Sequence, residues 1–327
     1  MKPFRSMLVP AVVLTLAAFA AEAQASQAQI WPAKPLKAIV PFAPGTLVDL
    51  VPRLVFEQLS ARLGQPVFVE NRPGGGTTVA ANFVAKSDPD GYTLLVNSSA
   101  HAIAPALHPN LSYHPARDFA AVIPLGVSAN VLVVPPSRGF KTAADFVAAA
   151  VARPGAMNFG SAGVGTAVHF SAERFRLSAG VQAVHIPFRG GPEIITEVTA
   201  GRIDFFFGPI GVVLPHVREG KLTALAVNSA KRSSLLPDVP TTLEAGFANA
   251  EYPFWLGIFL PAKTPRDIVD RLHRETLEAL RESQVRDKLA TLGVETMVMT
   301  PAEFDVHVEQ DIAINVALVK AIGLRPE

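Results

Sequence analysis

Short apolar runs alternate with stretches of helical periodicity along nearly the whole chain. Strands are predicted at 36–42, 66–70 and 92–97, with helices at 50–63 (stopped by Gly64) and 77–86. The middle repeats this grammar. Strands fall at 131–134, 157–160, 183–187, 203–207 and 222–227, and helices at 142–152, 165–177, 192–199 and 212–219. Such alternation, with short turns between, predicts two α/β units with mostly parallel sheets. The chain would cross between them near 128–132 and 248–254. The tail differs: 265–292 is helix-rich, and a last helix begins at Pro301, carries Glu303 in its first turn and ends near Gly323. Its apolar positions, Phe304, Val306, Ile312, Val316 and Val319, suit a helix laid across an existing domain.

The first residues do not belong to this pattern. Lys2 and Arg5 precede an apolar stretch at 7–20, and small residues follow, with Ala23 and Ala25 both suited to a cleavage point. Residues 1–25 therefore read as a cleavable secretory signal, too short in its apolar core for a membrane span. Export to the periplasm is the expected consequence. The Phe205-Phe206-Phe207 block is closed by Gly208 and Pro209, and no later stretch resembles a membrane helix.

Charge narrows the partners. The chain carries 29 Lys and Arg against 28 Asp and Glu, so a nucleic-acid partner, which favours a basic face, is not expected. Any pull on an anion must be local. With no cysteine, stability rests on burial alone.

Candidate chemistry collects where strands end and helices begin. Ile39 to Asp49 reads strand, Pro44-Gly45 turn, helix start, which leaves backbone N–H groups free for an anion. Two registers are open. Thr46 is the cap with Asp49 closing a capping box, or Asp49 is the cap, which puts Pro52 in the first turn where its missing N–H does no harm. The second suits Pro52 better. Asn71 to Thr78 is a glycine-rich junction without the Gly-Lys-Ser/Thr of a phosphate loop or a dinucleotide fingerprint; no cofactor is expected. Asn97, Ser99 and His101 follow the third strand. Ser161, Gly165, Thr166 and His169 form the matching junction in the middle unit, with hydroxyls and exposed N–H groups for a carboxylate. Thr166 is equally a helix cap, and His169 reads first as a supporting residue. Arg189 with Gly190 and Gly191 supplies a positive charge. Phe207 with Gly208 ends another strand, and Phe207, Phe254 and Trp255 offer an apolar wall, although Phe207 alone reads first as core. The eight histidines lack metal-ligand spacing, and no Gly-x-Ser-x-Gly elbow is present. An exported hydrolase stays open only because triads assemble across a fold.

The order and spacing of these motifs resemble one family, the Bug or TctC-like extracytoplasmic solute receptors of tripartite tricarboxylate transporters. The likeness runs from Trp31 to about Gly323. It is carried by Ile39 to Asp49, Asn71-Arg72-Pro73-Gly74, Asp88-Pro89-Asp90-Gly91-Tyr92, Asn158-Phe159-Gly160-Ser161, Gly165-Thr166 with His169, and Leu236-Pro237-Asp238-Val239-Pro240-Thr241. The resemblance implies a two-lobed fold like that of type II periplasmic binding proteins, each lobe a mixed, mostly parallel sheet flanked by helices. Lobe 1 would comprise 31–130 and 252–327, and lobe 2 131–251. It implies a monomer that captures a small organic carboxylate between the lobes, without catalysis, and hands it to a permease of one large and one small subunit, or to a membrane sensor. It puts the loop of Phe42, Ala43, Gly45, Thr46 and Leu47 at one ligand carboxylate through backbone groups and bridging water, with the junctions at 97–101, 161–166 and 189–191 completing the cleft; Asp49 stands open as either a structural cap or a ligand contact. The sequence departs from the family at Thr46, where glycine is usual, at Val48, where a hydroxyl residue is common, and at Gly208-Pro209, where Asp-Asn is frequent. Loss of that acid argues against an amino-acid ligand. The apolar rim with Trp255 leads to the expectation of an aromatic, aliphatic or dicarboxylic acid.

Overall fold

A computed structural model describes residues 31–324; the signal segment read at 1–25 lies outside them. The chain builds two sheets. The first half-turn of the fold is β1 (Leu36–Val40), α1 (Leu47–Leu63), β2 (Val67–Asn71), a 3-10 turn at Gly75–Thr77, α2 (Thr78–Ala85), β3 (Thr93–Ser98), α3 (Ala100–Leu107) and β4 (Phe119–Ser128). The chain then crosses to β5 (Asn130–Val134), α4 (Ala143–Ala152), β6 (Met157–Ser161), α5 (Ala167–Ala179), β7 (Ala183–Pro187), α6 (Gly191–Thr199), β8 (Phe205–Pro209), α7 (Ile210–Arg218) and β9 (Thr223–Val227). It returns as β10 (Phe254–Pro261), α8 (Arg266–Arg281), α9 (Ser283–Thr291), β11 (Val294–Glu295) and α10 (Pro301–Ile322).

The sheet orders are β11-β4-β10-β3-β1-β2 in lobe 1 and β7-β6-β8-β5-β9 in lobe 2. Pairing is parallel where strands alternate with helices, as β1 with β2 and β3, and β6 with β7 and β8. The crossing and returning strands, β4, β5 and β10, pair antiparallel. Alternation with helices could not reveal β4 and β10. Both are almost wholly buried runs outside the repeating units, and Pro124 and Gly126 interrupt β4 where its register against β10 is irregular.

Helices cover both faces of each sheet. In lobe 1, α1 packs its Val51, Val55, Phe56 and Leu59 on one face, and α2 packs Ala80, Ala81 and Val84 on the other. In lobe 2, Phe175 of α5 and Ile194 of α6 likewise take opposite faces. The ends of these helices are set locally. Thr142 with Asp145 and Thr300 with Glu303 form capping boxes at α4 and α10. α10 runs back across lobe 1, with Phe304 and Val308 in its core.

β1 lies between β2 and β3, and β6 between β7 and β8. The helices that follow β1 and β6 leave on the face opposite those that lead into β3 and β8. Each lobe therefore has a topological switch point, where loops part and a crevice opens at the carboxyl ends of the strands. The two crevices lie where the lobes meet: a Cβ on Gly165 would come 2.6 Å from Leu107 Cδ1 at the end of α3.

The crossings are tied by buried polar groups. Asn130 N donates to Asn228 Oδ1 at 2.8 Å, and both amide side chains donate to Ser171 Oγ, at 2.8 and 3.0 Å. Asn228 Nδ2 also reaches Tyr252 O, and Tyr252 OH donates to Asn315 Oδ1 of α10 at 2.7 Å. This network joins both connecting segments to a helix of each lobe. Tyr252→Phe should strand the buried Asn315 acceptor and cost about 1–3 kcal/mol, read as a lower urea midpoint. A midpoint equal to wild type would contradict this role.

Candidate functional site

The loop after β1 is held by one carboxylate. Asp49 Oδ2 accepts from Gly45 N at 2.9 Å, and Oδ1 accepts from Arg53 Nε at 3.0 Å and Asn71 Nδ2 at 2.8 Å. Asn71 Nδ2 also donates to Phe42 O at 2.9 Å, and Arg53 Nη2 to Asn71 Oδ1 at 3.0 Å. The knot thus grips the loop at both ends, from α1 and from the end of β2. Burial pushes the Asp49 carboxyl up, but the bonds from Arg53, Gly45 and Asn71 outweigh it and hold the group below the usual carboxylate range.

The helix register differs from the one that suited Pro52. α1 begins at Leu47 with Thr46 as its cap, and Pro52 lies inside the helix. Asp49 occupies the third helical position, where its carboxylate reaches back to Gly45 instead of capping. The anchoring partners Arg53 and Asn71 decide the matter, and the loss of one helix bond at Pro52 is tolerated in the core. Thr46 makes no side-chain cap; its hydroxyl donates to Ala43 O at 2.9 Å. Gly45 N is taken by Asp49, Thr46 N donates to Ala43 O, and Asp49 N and Leu50 N donate to Thr46 O. The open first-turn donors that helix geometry leaves are those of Leu47 and Val48. Ala43 and Gly45 are exposed, and Phe42 and Thr46 half-buried.

β3 ends beside this loop. Ser99 Oγ is buried and has no partner among the described residues, an uncommon condition that invites a ligand. Asn97 is buried and points its amide nitrogen at Thr77 Oγ1, 3.5 Å away, and His101 Nδ1, 3.4 Å away. Thr77 itself holds φ 86°, rare for a residue that is not glycine.

In lobe 2 the turn after β6 is pinned from behind. Ser161 Oγ accepts from Gly163 N at 3.1 Å and donates to Gly163 O at 3.0 Å. Gly165 N donates to His169 Nδ1 at 3.4 Å. The Gly163 and Gly165 N–H groups, expected to be open, are therefore engaged within the turn. Thr166 caps α5, accepting from His169 N and donating to Gly163 O. His169 supports the turn, and its Nε2 faces Glu173 Oε1 at 3.7 Å. Arg189 is exposed in the loop after β7, its N donating to Glu193, and its guanidinium pairs with no carboxylate among the described residues. Gly190 caps α6 without a side-chain bond.

Two expected wall residues, Trp255 and Phe207, lie in cores, and so does His101, expected at the cleft. Trp255 is buried against Phe304 and His307 of α10, with Nε1 donating to Asp311 Oδ2 at 2.5 Å. Phe207 sits in the lobe 2 core against Phe175. His101 is sandwiched by Phe119 and Phe259, and Nε2 lies 3.1 Å from Pro115 O. Burial pushes its pKa down to about 4. Position gives the reason: Phe207 and Trp255 lie within strands whose faces are covered by helices, and His101 is in the first turn of α3, packed on Phe119 and Phe259. Gly208 is part of the same packing, since a Cβ there would strike Phe206 and Val213. The apolar rim that pointed to an aromatic acid is accordingly absent at Trp255 and Phe207. His185, not anticipated from sequence, is brought in by β7: its Nε2 lies 2.6 Å from Ser161 Oγ. Only the parallel pairing of β6 and β7 places it there. Among the described residues no group of three or more His, Cys, Asp or Glu is placed to hold a metal ion.

Comparison with known proteins puts these features in a family. The chain matches the model of the tripartite tricarboxylate transporter family receptor over residues 51–324. It is 34% identical to a protein of Pseudomonas sp. (strain P51) from the tcbD-tcbE intergenic region, over 86% of this chain and 84% of that one. The fold superposes on MatC of Rhodopseudomonas palustris, solved with bound malate, at TM-score 0.81 and 31% identity, covering 88% of this chain and 100% of that one. A second R. palustris protein, solved with adipate, gives TM-score 0.84 at 30% identity, over 91% of this chain and 100% of that one.

The Asp49 knot carries a pH signature. Because the folded carboxyl titrates below its unfolded value of about 3.9, its stabilisation is present above that pH and is lost as pH falls through the lowered native value. Asp49→Asn should cost about 1–3 kcal/mol at pH 7 and progressively less below pH about 4, followed by urea unfolding. A cost that does not change between pH 7 and pH 3 would contradict this.

Proposed function

Since the chain belongs to the tripartite tricarboxylate transporter receptor family, we propose that it is a periplasmic receptor that closes two lobes on a small dicarboxylate. It delivers this acid to a membrane permease, acting as a monomer and without catalysis. The observation that carries the reading is the uncapped start of α1 at the lobe 1 switch point. Its Leu47 and Val48 N–H groups are left open by a loop that Asp49 holds rigid. A carboxylate placed there meets the positive end of the helix. Ser99 Oγ, just past the end of β3, is buried and has no partner among the described residues.

The second carboxylate falls to lobe 2, where Arg189 and the start of α6 at Gly190 and Gly191 lie beside the Ser161–Thr166 turn. Malate and adipate in the two R. palustris relatives are both dicarboxylates, which supports a diacid over the aromatic acid suggested by a Trp255 rim. The proposed lobes are 31–130 with 252–327, and 131–251, with 1–25 removed; the separation into two sheets supports this division, with Asn130 already opening β5. A hydrolase fits the site poorly. Ser161 is bonded to Gly163 through both N–H and C=O, and no carboxylate among the described residues bonds His185, so the pair lacks the orienting third group of a triad.

Ligand-free protein, prepared by unfolding and refolding, should gain stability from four- to six-carbon dicarboxylates, about 2.7 kcal/mol at a hundredfold excess over Kd. Monocarboxylates and amino acids should give less. Arg189→Ala should weaken diacid binding roughly tenfold to a hundredfold, as expected for a lost charged hydrogen bond, with little effect on the unfolding midpoint of the free protein. A panel of acids in which none raises that midpoint would sink the reading.

A further inference from the structure

We propose that His185 is the positioning residue of the lobe 2 jaw, fixing through Ser161 the turn that receives the ligand; this rests on the carboxylate-cleft reading above. β6 and β7 run parallel with Phe159 opposite His185, so the two rings share a face and stack at 4.9 Å and 27°. From there His185 Nε2 reaches Ser161 Oγ at 2.6 Å. Ser161 Oγ accepts Gly163 N–H, and its own proton is assigned to Gly163 O. The matching tautomer of His185 carries Nε2–H, which donates to Oγ, completes the hydroxyl's bonding and leaves the turn a single shape.

A second pin stands beside the first. The His169 ring stacks on His185 at 4.0 Å and 21°, and His169 Nδ1 takes Gly165 N–H. Glu173 faces the other side of His169, and Arg176 Nη1 holds both Glu173 oxygens at 2.7 Å. Glu173 and Arg176 are the charged groups that face the pair. Burial first, and then the nearness of His169, push the His185 pKa down to about 4. The ring is thus neutral at neutral pH, and the contact with Ser161 is the basis for assigning its single proton to Nε2. Neither imidazole needs to touch ligand. Together they hold Gly163 and Gly165 at fixed positions, so the turn presents its remaining groups to the crevice without reordering when the lobes close.

The test compares three substitutions by titration calorimetry with adipate and malate at pH 7. Gln places its amide nitrogen near the position of Nε2 and can donate to Ser161; Asn and Phe cannot. His185→Gln should bind within about threefold of wild type, while His185→Asn and His185→Phe should bind at least about tenfold more weakly, the loss expected for one hydrogen bond of about 1.4 kcal/mol. A purely structural role would make affinity follow the unfolding midpoint across all three variants, without rescue by Gln. Three variants that bind like wild type, or a Gln variant as weak as the others, would overturn the proposal. If the Asn and Phe variants do not fold, wild type decides by 15N NMR. Added adipate should leave His185 as the single Nε2–H tautomer seen without ligand, and a ring that is protonated on Nδ1 or exchanges between tautomers in either state overturns it. Wild type that binds neither acid counts against the cleft reading itself, a separate outcome.

Discussion

The structure of lobe 1 at its crevice depends on the Asp49 carboxylate. A Pro-Gly turn at a helix start has many shapes, and most would let its own N–H groups bond inward or to water. Asp49 removes that freedom by accepting from Gly45, Arg53 and Asn71 at once. The consequence is selective. Donors the loop needs for its own geometry are consumed, and the N–H groups of Leu47 and Val48 remain. Burial alone would disfavour this charge, so the site exists only because three donors outweigh desolvation.

Lobe 2 reaches a comparable rigidity by other means. Its turn is held by two imidazoles and a serine instead of an Asp–Arg pair, and Arg189 is left exposed with its charge unpaired among the described residues. One jaw therefore offers backbone dipoles and the other a full charge. That asymmetry suits a diacid, whose ends need not be recognised alike. Between the jaws, Asn130, Asn228, Ser171, Tyr252 and Asn315 bond the two crossings together. This buried network ties both connecting segments to a helix of each lobe, with Asn130 Oδ1 left without a partner among the described residues.

Much of the fold was legible because local signals agreed. Gly64 does end α1 with a left-handed C-cap, and the last helix starts and stops at the residues that Pro301, Glu303 and Gly323 announce. β4 and β10 were hidden, since a continuous apolar run carries no period to separate a central strand from other buried structure. The loops of the candidate site were legible as strand-to-helix junctions, but the direction of a side chain was not. Trp255 and Phe207 are adjacent in sequence to crevice loops and yet turn into cores. His185 lies sixteen residues beyond His169 and gains its place only through sheet pairing. Asp49 as a cap was a sound local argument that lost to Asn71, a partner twenty-two residues away.

The central claim is that a carboxylate is held by the open start of α1. A crystal structure of the complex with adipate tests it most directly. One carboxylate should lie within about 2.7–3.2 Å of the Leu47 and Val48 nitrogens and the other on the lobe 2 side, toward Arg189 and the Ser161–Thr166 turn. Adipate bound between the lobes with both carboxylates held by side chains, and the Leu47 and Val48 N–H groups facing only water, would contradict it.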